Sequence, residues 1–277
     1  MRFGFVTCVR LGLSCMEAIY EIGGRLDLAM TLPDDRAVGK SGRVYLDGFC
    51  ARHGIPLVKS RNVNDAEVVE AIRAAGLDWL FIVGWSQIAR EAVLAAPRLG
   101  VLGMHPTLLP IGRGRAAIPW AILKRLEKTG VTLFKLDGGV DTGDIIDQLE
   151  IPLSSTDATE LYAAVDAAHA ALIKTAFPAL AAGTIRPRPQ DDSAATEWPG
   201  RRPEDGRLDP AMKVADAECL VRAVTRPYPG AFTILDGRRI VVWRAAIAAD
   251  RAQCGDDLCL AFADGLLRCL EWEEAPL

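Results

Sequence analysis

Short apolar runs alternate with amphipathic segments along roughly the first two thirds of the chain. Strand-like runs are predicted at residues 2–7, 26–31, 56–59, 79–83 and 100–105. Between them, apolar residues recur at helical spacing, as in residues 14–22, which end at the cap-like pair Gly23-Gly24. Short, fully apolar strands separated by helices are typical of a buried parallel sheet. The pattern therefore predicts an α/β, Rossmann-like fold with a mostly parallel sheet and flanking helices.

The middle of the chain continues this alternation. The pattern predicts a helix over 116–127, strands over 131–136 and 145–153, and one long helix over 157–182. Asp157 followed by Glu160 is a capping-box arrangement for the long helix. Pro178 is expected to kink or divide that helix, because proline cannot donate a backbone hydrogen bond.

The composition changes after Gly183. Residues 186–210 are rich in proline and charge, which predicts a linker. Short strand-like runs joined by the turns Asp236-Gly237 and Asp264-Gly265 follow, which predicts a small all-β domain. The expected organisation is a catalytic domain over 1–185, a linker over 186–210 and a β domain over 211–277.

Composition and charge narrow the classes of partner. The net charge is −4, so a general attraction to nucleic acid or to an anionic membrane is not expected. No apolar run reaches the roughly 18 residues of a membrane span, and the N-terminus lacks a signal-peptide layout. The seven cysteines are scattered and include no C-x-x-C pair. These features predict a cytoplasmic protein with reduced, mostly buried thiols and no metal site.

Two segments resemble phosphate-binding loops but lack the glycines that such loops require. Gly39-Lys40-Ser41 lacks the glycine that a P-loop requires five residues earlier, where Asp34 stands. The first strand-to-helix turn, residues 7–14, has one glycine where a dinucleotide fingerprint has three. Both segments are interpreted as ordinary loops.

The stretch from Gly103 to Asp144 carries the candidate chemistry. His105 ends a predicted strand and enters a loop that Pro106 and Pro110 stiffen, and Asp141 lies in an acidic turn after the next strand. The carboxyl ends of strands in an open α/β sheet are where ligands bind. An imidazole and a carboxylate brought together there can take the proton of an attacking amine and stabilise developing charge. A purely structural histidine is the alternative that spacing leaves open.

Three motifs in this stretch point to a family. They are His105-Pro106-Thr107-Leu108-Leu109-Pro110, Arg113-Gly114 and Asp141-Thr142-Gly143. They resemble the H-P-S-L-L-P, R-G and D-x-G motifs of formyltransferases that use 10-formyltetrahydrofolate, a group that includes methionyl-tRNA, glycinamide ribonucleotide and nucleotide-sugar formyltransferases. The tail resembles the linker and OB-like C-terminal domain of the tRNA and sugar enzymes, in Pro189-Gln190, Arg201-Arg202-Pro203-Glu204-Asp205 and Pro229-Gly230-Ala231-Phe232. The resemblance spans nearly the whole chain.

The resemblance implies a set of site residues. The catalytic pair is His105 and Asp141, and no metal is involved. Residues that contact the folate co-substrate are Trp85, Ser86, Gln87, Ile88, Leu109, Asp137 and Gly138. Residues that contact the acceptor are Thr107, Arg113, Gly114 and Arg115. Core packing is the alternative for Trp85, and solvent exposure is the alternative for the two arginines.

Gly103 departs from the family pattern. The family's catalytic asparagine stands two residues before the histidine, and its amide helps hold the formyl oxygen as charge develops there. Loss of one such donor costs about 2.7–4 kcal/mol of transition-state stabilisation. Three outcomes are open: another donor (Gln87, Ser86 or a backbone N–H) replaces it, the enzyme is slow, or the chemistry differs. The first is the expectation.

The charge of the tail bears on the acceptor. Residues 191–277 contain 11 Lys and Arg against 16 Asp and Glu, a net charge of −5, which disfavours tRNA. The expected activity is formyl transfer from 10-formyltetrahydrofolate to the amine of a nucleotide-linked amino sugar, such as a dTDP- or UDP-4-amino sugar. Methionyl-tRNA formyltransferase, a hydrolase, and a folate- or nucleotide-sugar-binding protein are the alternatives. Neither a nucleic-acid nor a membrane partner is expected, and a homodimer is left open.

Overall fold

The computed structural model describes residues 1–36 and 43–276, so Gly39-Lys40-Ser41 lies outside the described residues. The chain forms two compact units. Unit 1 comprises Met1–Arg113, Thr129–Ile151 and Ala164–Glu197, and unit 2 comprises Gly114–Lys128, Pro152–Ala163 and Trp198–Leu277. The boundaries expected at residues 185 and 210 stay a prediction.

The secondary structure of the described residues is as follows. The strands are β1 Phe3–Val6, β2 Leu28–Thr31, β3 Leu57–Lys59, β4 Trp79–Ile82, β5 Gly100–His105, β6 Arg113–Gly114, β7 Lys128–Lys135, β8 Ile145–Pro152, β9 Glu197–Trp198, β10 Ala231–Leu235, β11 Arg238–Ala248, β12 Cys259–Phe262 and β13 Gly265–Ala275. The α-helices are α1 Arg10–Glu21, α2 Asp47–His53, α3 Ala66–Ala74, α4 Glu91–Leu94, α5 Ala117–Leu123, α6 Ala158–Ala182 and α7 Val214–Val224.

Unit 1 is built on a seven-stranded sheet with the order β3-β2-β1-β4-β5-β7-β8. The strands from β3 to β5 are parallel, and every residue of β1, β2, β4 and β5 is buried. Apolar side chains of α3 pack in one cluster with Leu80 and Val101, while Phe177 of α6 packs on Phe3 and Phe81. The predicted fold class, a mostly parallel sheet with flanking helices, is confirmed.

One strand of this sheet runs against the others. β7 pairs antiparallel with β5, and His105 stands opposite Thr132. The sequence pattern had predicted the strand but not its direction, because apolar alternation carries no information on strand polarity. The reversal matters for the site, since the chain leaves β7 at the edge of the sheet remote from His105.

The long helix α6 begins and ends as predicted and is continuous through its proline. The Glu160 N–H donates to Asp157 Oδ1 at 2.9 Å and the Asp157 N–H to Glu160 Oε2 at 3.3 Å, which is the expected capping box. Pro178 lies inside the helix without dividing it, and the kink that was the other expectation stays a prediction. Only one turn follows Pro178, and its neighbours Phe177 and Leu180 are buried, so packing holds that turn in place.

Unit 2 contains a four-stranded antiparallel sheet with the order β10-β11-β13-β12. The predicted turn at Asp236-Gly237 is confirmed, and both residues have the positive φ that a tight hairpin requires. Helix α7, which the sequence reading had not named, precedes this sheet.

The cysteines differ from expectation at one pair. Cys254 and Cys259 form a disulfide, so the expectation of reduced thiols is wrong for these two, whose Cα atoms lie 5.9 Å apart within bridging range. Cys8, Cys15, Cys50, Cys219 and Cys269 are free and buried. Within residues 1–36 and 43–276, no helix combines the length and apolar character that crossing a membrane requires.

Candidate active site

His105 is the last residue of β5 and is buried, with 8% of its surface exposed. Its Nε2 lies 2.8 Å from the carbonyl oxygen of Gly112, a residue whose φ of +74° bends the loop back toward the strand. A carbonyl oxygen only accepts hydrogen bonds, so Nε2 carries the proton in this contact. The tether therefore leaves Nδ1 as the nitrogen available for proton transfer.

Asp141 meets that second nitrogen. Its Oδ2 lies 3.5 Å from His105 Nδ1. The proximity that the sequence predicted is present, but the predicted route, through two adjacent strand ends, is wrong because β7 is antiparallel to β5. Asp141 instead reaches His105 from the loop after Lys135, where it adopts a φ of +55°. Such a backbone conformation is uncommon outside glycine and is found where the surrounding structure enforces it.

Gln190 is one of the groups that enforce the Asp141 loop. Its Nε2 donates to the carbonyl oxygens of Asp141 at 2.8 Å and Gly143 at 2.7 Å. Its Oε1 accepts from Arg113 Nε and Nη2 at 3.1 and 2.9 Å. In the sequence, Gln190 is distinguished only as part of the tail motif Pro189-Gln190. A glutamine after a proline gives no sign that it will support a loop some fifty residues earlier.

The guanidinium of Arg113 is committed within unit 1. Besides Gln190, it donates to Asp192 Oδ1 at 2.6 Å, and only 12% of its side chain is exposed. In this arrangement Arg113 braces the Asp141 loop through Gln190. The contact to the acceptor expected for Arg113 stays a prediction, and it would require these bonds to break.

Thr132 fixes the loop that follows His105. Its Oγ1 donates to Thr107 O at 2.7 Å and accepts from Leu109 N at 3.0 Å and Gln148 Nε2 at 2.8 Å. Gln148 also donates to Leu109 O at 2.8 Å. Thr107, expected at the acceptor, is itself buried, and its Oγ1 has no hydrogen-bond partner among the residues described. Thr107 and Leu109 are therefore held through their backbone groups, in the loop that follows His105.

Leu136 occupies the space beside Gly103. A Cβ built on Gly103 would lie 2.6 Å from Leu136 Cδ2 and 3.3 Å from Phe134 Cε1. Contacts this short do not occur between real side chains, so a residue larger than glycine requires Leu136 to move. The side chain of Leu136, the residue after β7, thus fills part of the space that a side chain at residue 103 would need.

The segment expected to contact folate lies after β4, the neighbour of β5 in the sheet. Gln87 accepts from Val63 N at 2.9 Å and Trp85 Nε1 at 3.2 Å and donates to Arg61 O at 2.7 Å. This engagement argues against Gln87 as the replacement for the missing amide. Trp85 is half-buried against the core, Ser86 is exposed, and Ile88 exposes 76% of its surface.

The acidic turn before Asp141 is organised by Asp137. Its Oδ1 accepts from Gly139 N at 2.9 Å and Thr142 Oγ1 at 2.6 Å, while Gly138 faces open space. Gly143 admits no side chain, because a Cβ there would overlap the carbonyl oxygen of Lys135. The shape of the turn therefore requires the glycine of the D-x-G motif.

Two further expected acceptor residues belong to unit 2. Gly114 has a φ of +105°, and a Cβ there would lie 2.5 Å from Trp198 O, so only glycine fits. Arg115 donates its backbone N–H to Trp198 O at 3.0 Å, and its side chain is exposed.

A buried polar cluster lies behind β5, and the sequence reading missed it. Ser14 Oγ donates to Asp166 Oδ2 at 3.0 Å, and Cys15 Sγ lies 3.8 Å from the sulfur of Met104, the residue before His105. His169 is fully buried, and its Nδ1 donates to Val165 O at 2.8 Å. Burial lowers its pKa to about 4, and the charges of Asp166 and His105 act on it in opposite directions.

The arrangement suits proton transfer at one nitrogen. His105 Nδ1 can accept a proton, and Asp141 lies where it would stabilise the resulting imidazolium. The loops that carry the expected folate contacts expose the apolar side chains of Ile88 and Val140. Because a planar ring binds to apolar surface together with backbone hydrogen bonds, these loops suit a folate co-substrate. Within the described ranges no group of His, Cys, Asp and Glu is suited to hold a metal ion.

The chain is similar to known formyltransferases in sequence. The family described as Formyl transferase matches residues 38–176, and the family Formyl transferase, C-terminal domain, matches residues 201–271. A methionyl-tRNA formyltransferase from Lachnospira eligens is 31% identical over 252 residues, which are 90% of this chain and 79% of the relative.

The fold is similar to solved structures. HypX from Aquifex aeolicus, in complex with tetrahydrofolic acid, aligns with a TM-score of 0.71 at 19% identity over 100% of this chain, which spans 44% of HypX. An N-formyltransferase from Helicobacter canadensis, in complex with folinic acid and dTDP-3-aminofucose, aligns with a TM-score of 0.66 at 17% identity over 96% of this chain and 97% of that one.

The two structural likenesses show the fold, and the sequence matches show the family. The matched segments include the His105 loop and the Asp141 turn. This chain belongs to the formyltransferase family, and it is an enzyme that transfers a formyl group from a formyl-folate.

Proposed function

We propose that this chain N-formylates an amino sugar carried on a nucleotide diphosphate, with 10-formyltetrahydrofolate as the donor. The observation that carries the proposal is the single available nitrogen of His105, Nδ1, held beside Asp141 by the Gly112 tether. A base with its partner carboxylate already in place is what an amine nucleophile needs.

The protein's part in the reaction is the movement of one proton. The bound co-substrate supplies the formyl group, the acceptor nitrogen forms a bond to the formyl carbon, and the bond from that carbon to N10 breaks. His105 Nδ1 takes the proton that the amine loses and returns it to the departing nitrogen. Asp141 stabilises the imidazolium between these events, and Gln190 keeps Asp141 in reach.

The acceptor is argued from charge. The net charge of −5 over residues 191–277 opposes binding of a tRNA, whose affinity depends on contacts to many phosphates. A nucleotide diphosphate can be bound by only a few cationic side chains. Arg115, which follows the R-G motif, is exposed and can supply one of them. The Helicobacter canadensis enzyme, solved with dTDP-3-aminofucose, shows that this fold accommodates such a ligand in a relative.

Methionyl-tRNA formyltransferase is the second candidate. The observation in its favour is the name of the Lachnospira eligens relative, 31% identical over 90% of this chain. The two candidates differ in salt dependence, because tRNA binding weakens steeply between 50 and 200 mM salt whereas binding of a small nucleotide sugar weakens less.

The test is a direct competition between acceptors. The purified protein is given 10-formyltetrahydrofolate with dTDP- and UDP-linked amino sugars, with methionyl-tRNA, or with no acceptor. Release of tetrahydrofolate is followed by absorbance, and the formamide product is identified by mass spectrometry. His105→Ala and Asp141→Asn serve as variants that should lose turnover while still binding folate.

Each result decides between the candidates. Formamide on an amino sugar alone supports the proposal, and formylated methionyl-tRNA alone overturns it in favour of the second candidate. Tetrahydrofolate release without any acceptor identifies a hydrolase. Folate binding with no release in any arm identifies a binding protein in which Gly103 marks the loss of catalysis.

A further inference from the structure

A second candidate site lies wholly within unit 2. A cavity of about 300 Å³ opens beside Trp120, at the lower end of the size range of small-molecule sites. Its apolar wall includes Leu123 and Met212 next to the Trp120 ring. Its polar wall carries three guanidinium groups, from Arg125, Arg201 and Arg207. An aromatic wall facing a cluster of arginines combines the two contacts that recognise a ring and a phosphate.

The positive charge of this cavity is only partly compensated. Arg125 is paired with Asp216 at 2.7 Å. The other carboxylate in the wall, Asp205, accepts from the backbone N–H of Arg202 at 2.6 Å, so it is engaged in capping the local turn. Arg207 is exposed and forms no ion pair with any residue that the structure describes. Three of the twelve arginines of unit 2, whose net charge is −1, line this cavity.

Arg201 is partly buried, so water solvates its charge poorly. Its Nη2 donates to the carbonyl oxygen of Asp205 at 2.7 Å, and its guanidinium lies 5.1 Å from the centre of the Trp120 ring. Burial lowers its pKa, which means that its charge is poorly solvated in this position. The Asp205 carboxylate offsets part of this effect, and an incoming anion would stabilise such a partly desolvated guanidinium more than it would a fully exposed one.

The Trp120 ring is fixed before any ligand arrives. Its Nε1 donates to Pro199 O at 2.8 Å, and the ammonium of Lys124 lies 5.6 Å from the ring centre. A rigid aromatic wall lowers the entropy lost when a planar ligand binds.

We propose that this cavity binds a nucleoside phosphate, with the phosphate on Arg201 and Arg207 and the base along the wall formed by Trp120, Leu123 and Met212. The aromatic and apolar wall favours a nucleoside phosphate over an inorganic anion, which has nothing to place there. The proposal concerns binding in unit 2 and does not depend on formyl transfer.

The test measures binding to the full-length protein without folate. Calorimetric titrations use inorganic pyrophosphate and the diphosphates of adenosine, guanosine, uridine and thymidine at low ionic strength. Arg201→Gln and Arg207→Gln are each expected to weaken nucleotide binding about tenfold. Arg244→Gln, an exposed arginine on β11 outside the cavity wall, is the matched control and should leave the affinity unchanged.

Further arms separate the alternatives. Trp120→Phe keeps a ring and should retain binding, whereas Trp120→Leu should lose the preference for nucleotide over pyrophosphate. Retention of the native affinity in both Arg201→Gln and Arg207→Gln would place the nucleotide outside this cavity and overturn the proposal.

The remaining outcomes also test whether the cavity binds a nucleoside phosphate. No binding at millimolar nucleotide, or equal affinity for pyrophosphate and nucleotide, contradicts a nucleoside site. Binding of a short oligonucleotide without binding of any mononucleotide identifies a nucleic-acid surface instead. Native-like binding in the two arginine variants counts against this cavity alone, whereas absence of binding for every nucleotide also counts against a nucleotide-linked acceptor in the formyl-transfer proposal.

Discussion

Leu136 fills the space that a side chain on Gly103 would need. Leu136 Cδ2 lies 2.6 Å from the position of a Cβ on Gly103, and Phe134 closes the same space from the facing strand. Glycine at residue 103 supplies no side-chain amide, and Leu136 and Phe134 leave no room for a larger side chain unless the leucine shifts.

Restoring an amide at residue 103 should require two changes. Gly103→Asn alone is expected to destabilise the protein by about 1–3 kcal/mol through overpacking against Leu136, without raising turnover. Gly103→Asn with Leu136→Ala should raise kcat about 100-fold over Leu136→Ala alone, since one oxyanion donor is worth that much. Steady-state kinetics of the three variants measure this. A double variant no faster than Leu136→Ala would show that residue 103 has no place in catalysis here.

Gln190 should affect turnover through Asp141. Gln190→Glu keeps an acceptor for Arg113 but removes the amide that donates to the carbonyl oxygens of Asp141 and Gly143. Displacement of a catalytic group by about 1 Å reduces rates about 100-fold, so kcat should fall 10- to 100-fold while KM for the acceptor changes little. Pre-steady-state and steady-state rates with the confirmed acceptor check this. A rise in KM at constant kcat would assign Gln190 to substrate binding instead.

Two buried threonines should lose very different amounts of stability on the same substitution. Thr132→Val removes a hydroxyl with three hydrogen-bond partners and should lower the free energy of unfolding by about 3 kcal/mol. Thr107→Val removes a buried hydroxyl that has no partner among the described residues, so stability should stay within about 1 kcal/mol or rise. Urea denaturation of both variants gives the comparison. Equal losses would mean that Thr107 Oγ1 has a partner, such as an ordered water.

His169 should make the fold acid-sensitive over a defined window. Burial lowers its pKa to about 4 from a usual value of 6.5, so between these values the unfolded chain binds a proton that the folded chain does not. Stability therefore falls as the pH drops from about 6.5 to about 4, by about 3 kcal/mol from this residue. His169→Leu should reduce the pH dependence of the unfolding free energy by about one proton in that window. An unchanged slope would show that His169 gains a proton in the folded state as readily as in the unfolded one.

Much of this architecture could be predicted from the sequence because it depends on local patterns. The β5 strand, the capping box of α6 and the motif loops follow from apolar spacing and from residue types that act on their neighbours. The direction of β7 and the support that Gln190 gives to Asp141 could not, since both are decided by contacts between distant parts of the chain. The same holds for Leu136 beside Gly103, where the pattern shows a missing side chain but not what fills its volume.

The hydrogen bond from His105 Nε2 to Gly112 O limits the number of protons that this imidazole can exchange. With Nε2–H donated to a backbone carbonyl, Nδ1 is the nitrogen of the ring that can gain or lose a proton. In the proposed N-formylation, one proton leaves the amine and one reaches the departing nitrogen, so one such nitrogen matches the need of a single turnover. Under this proposal, each turnover must return the His105 imidazole to its neutral form before the next amine can react.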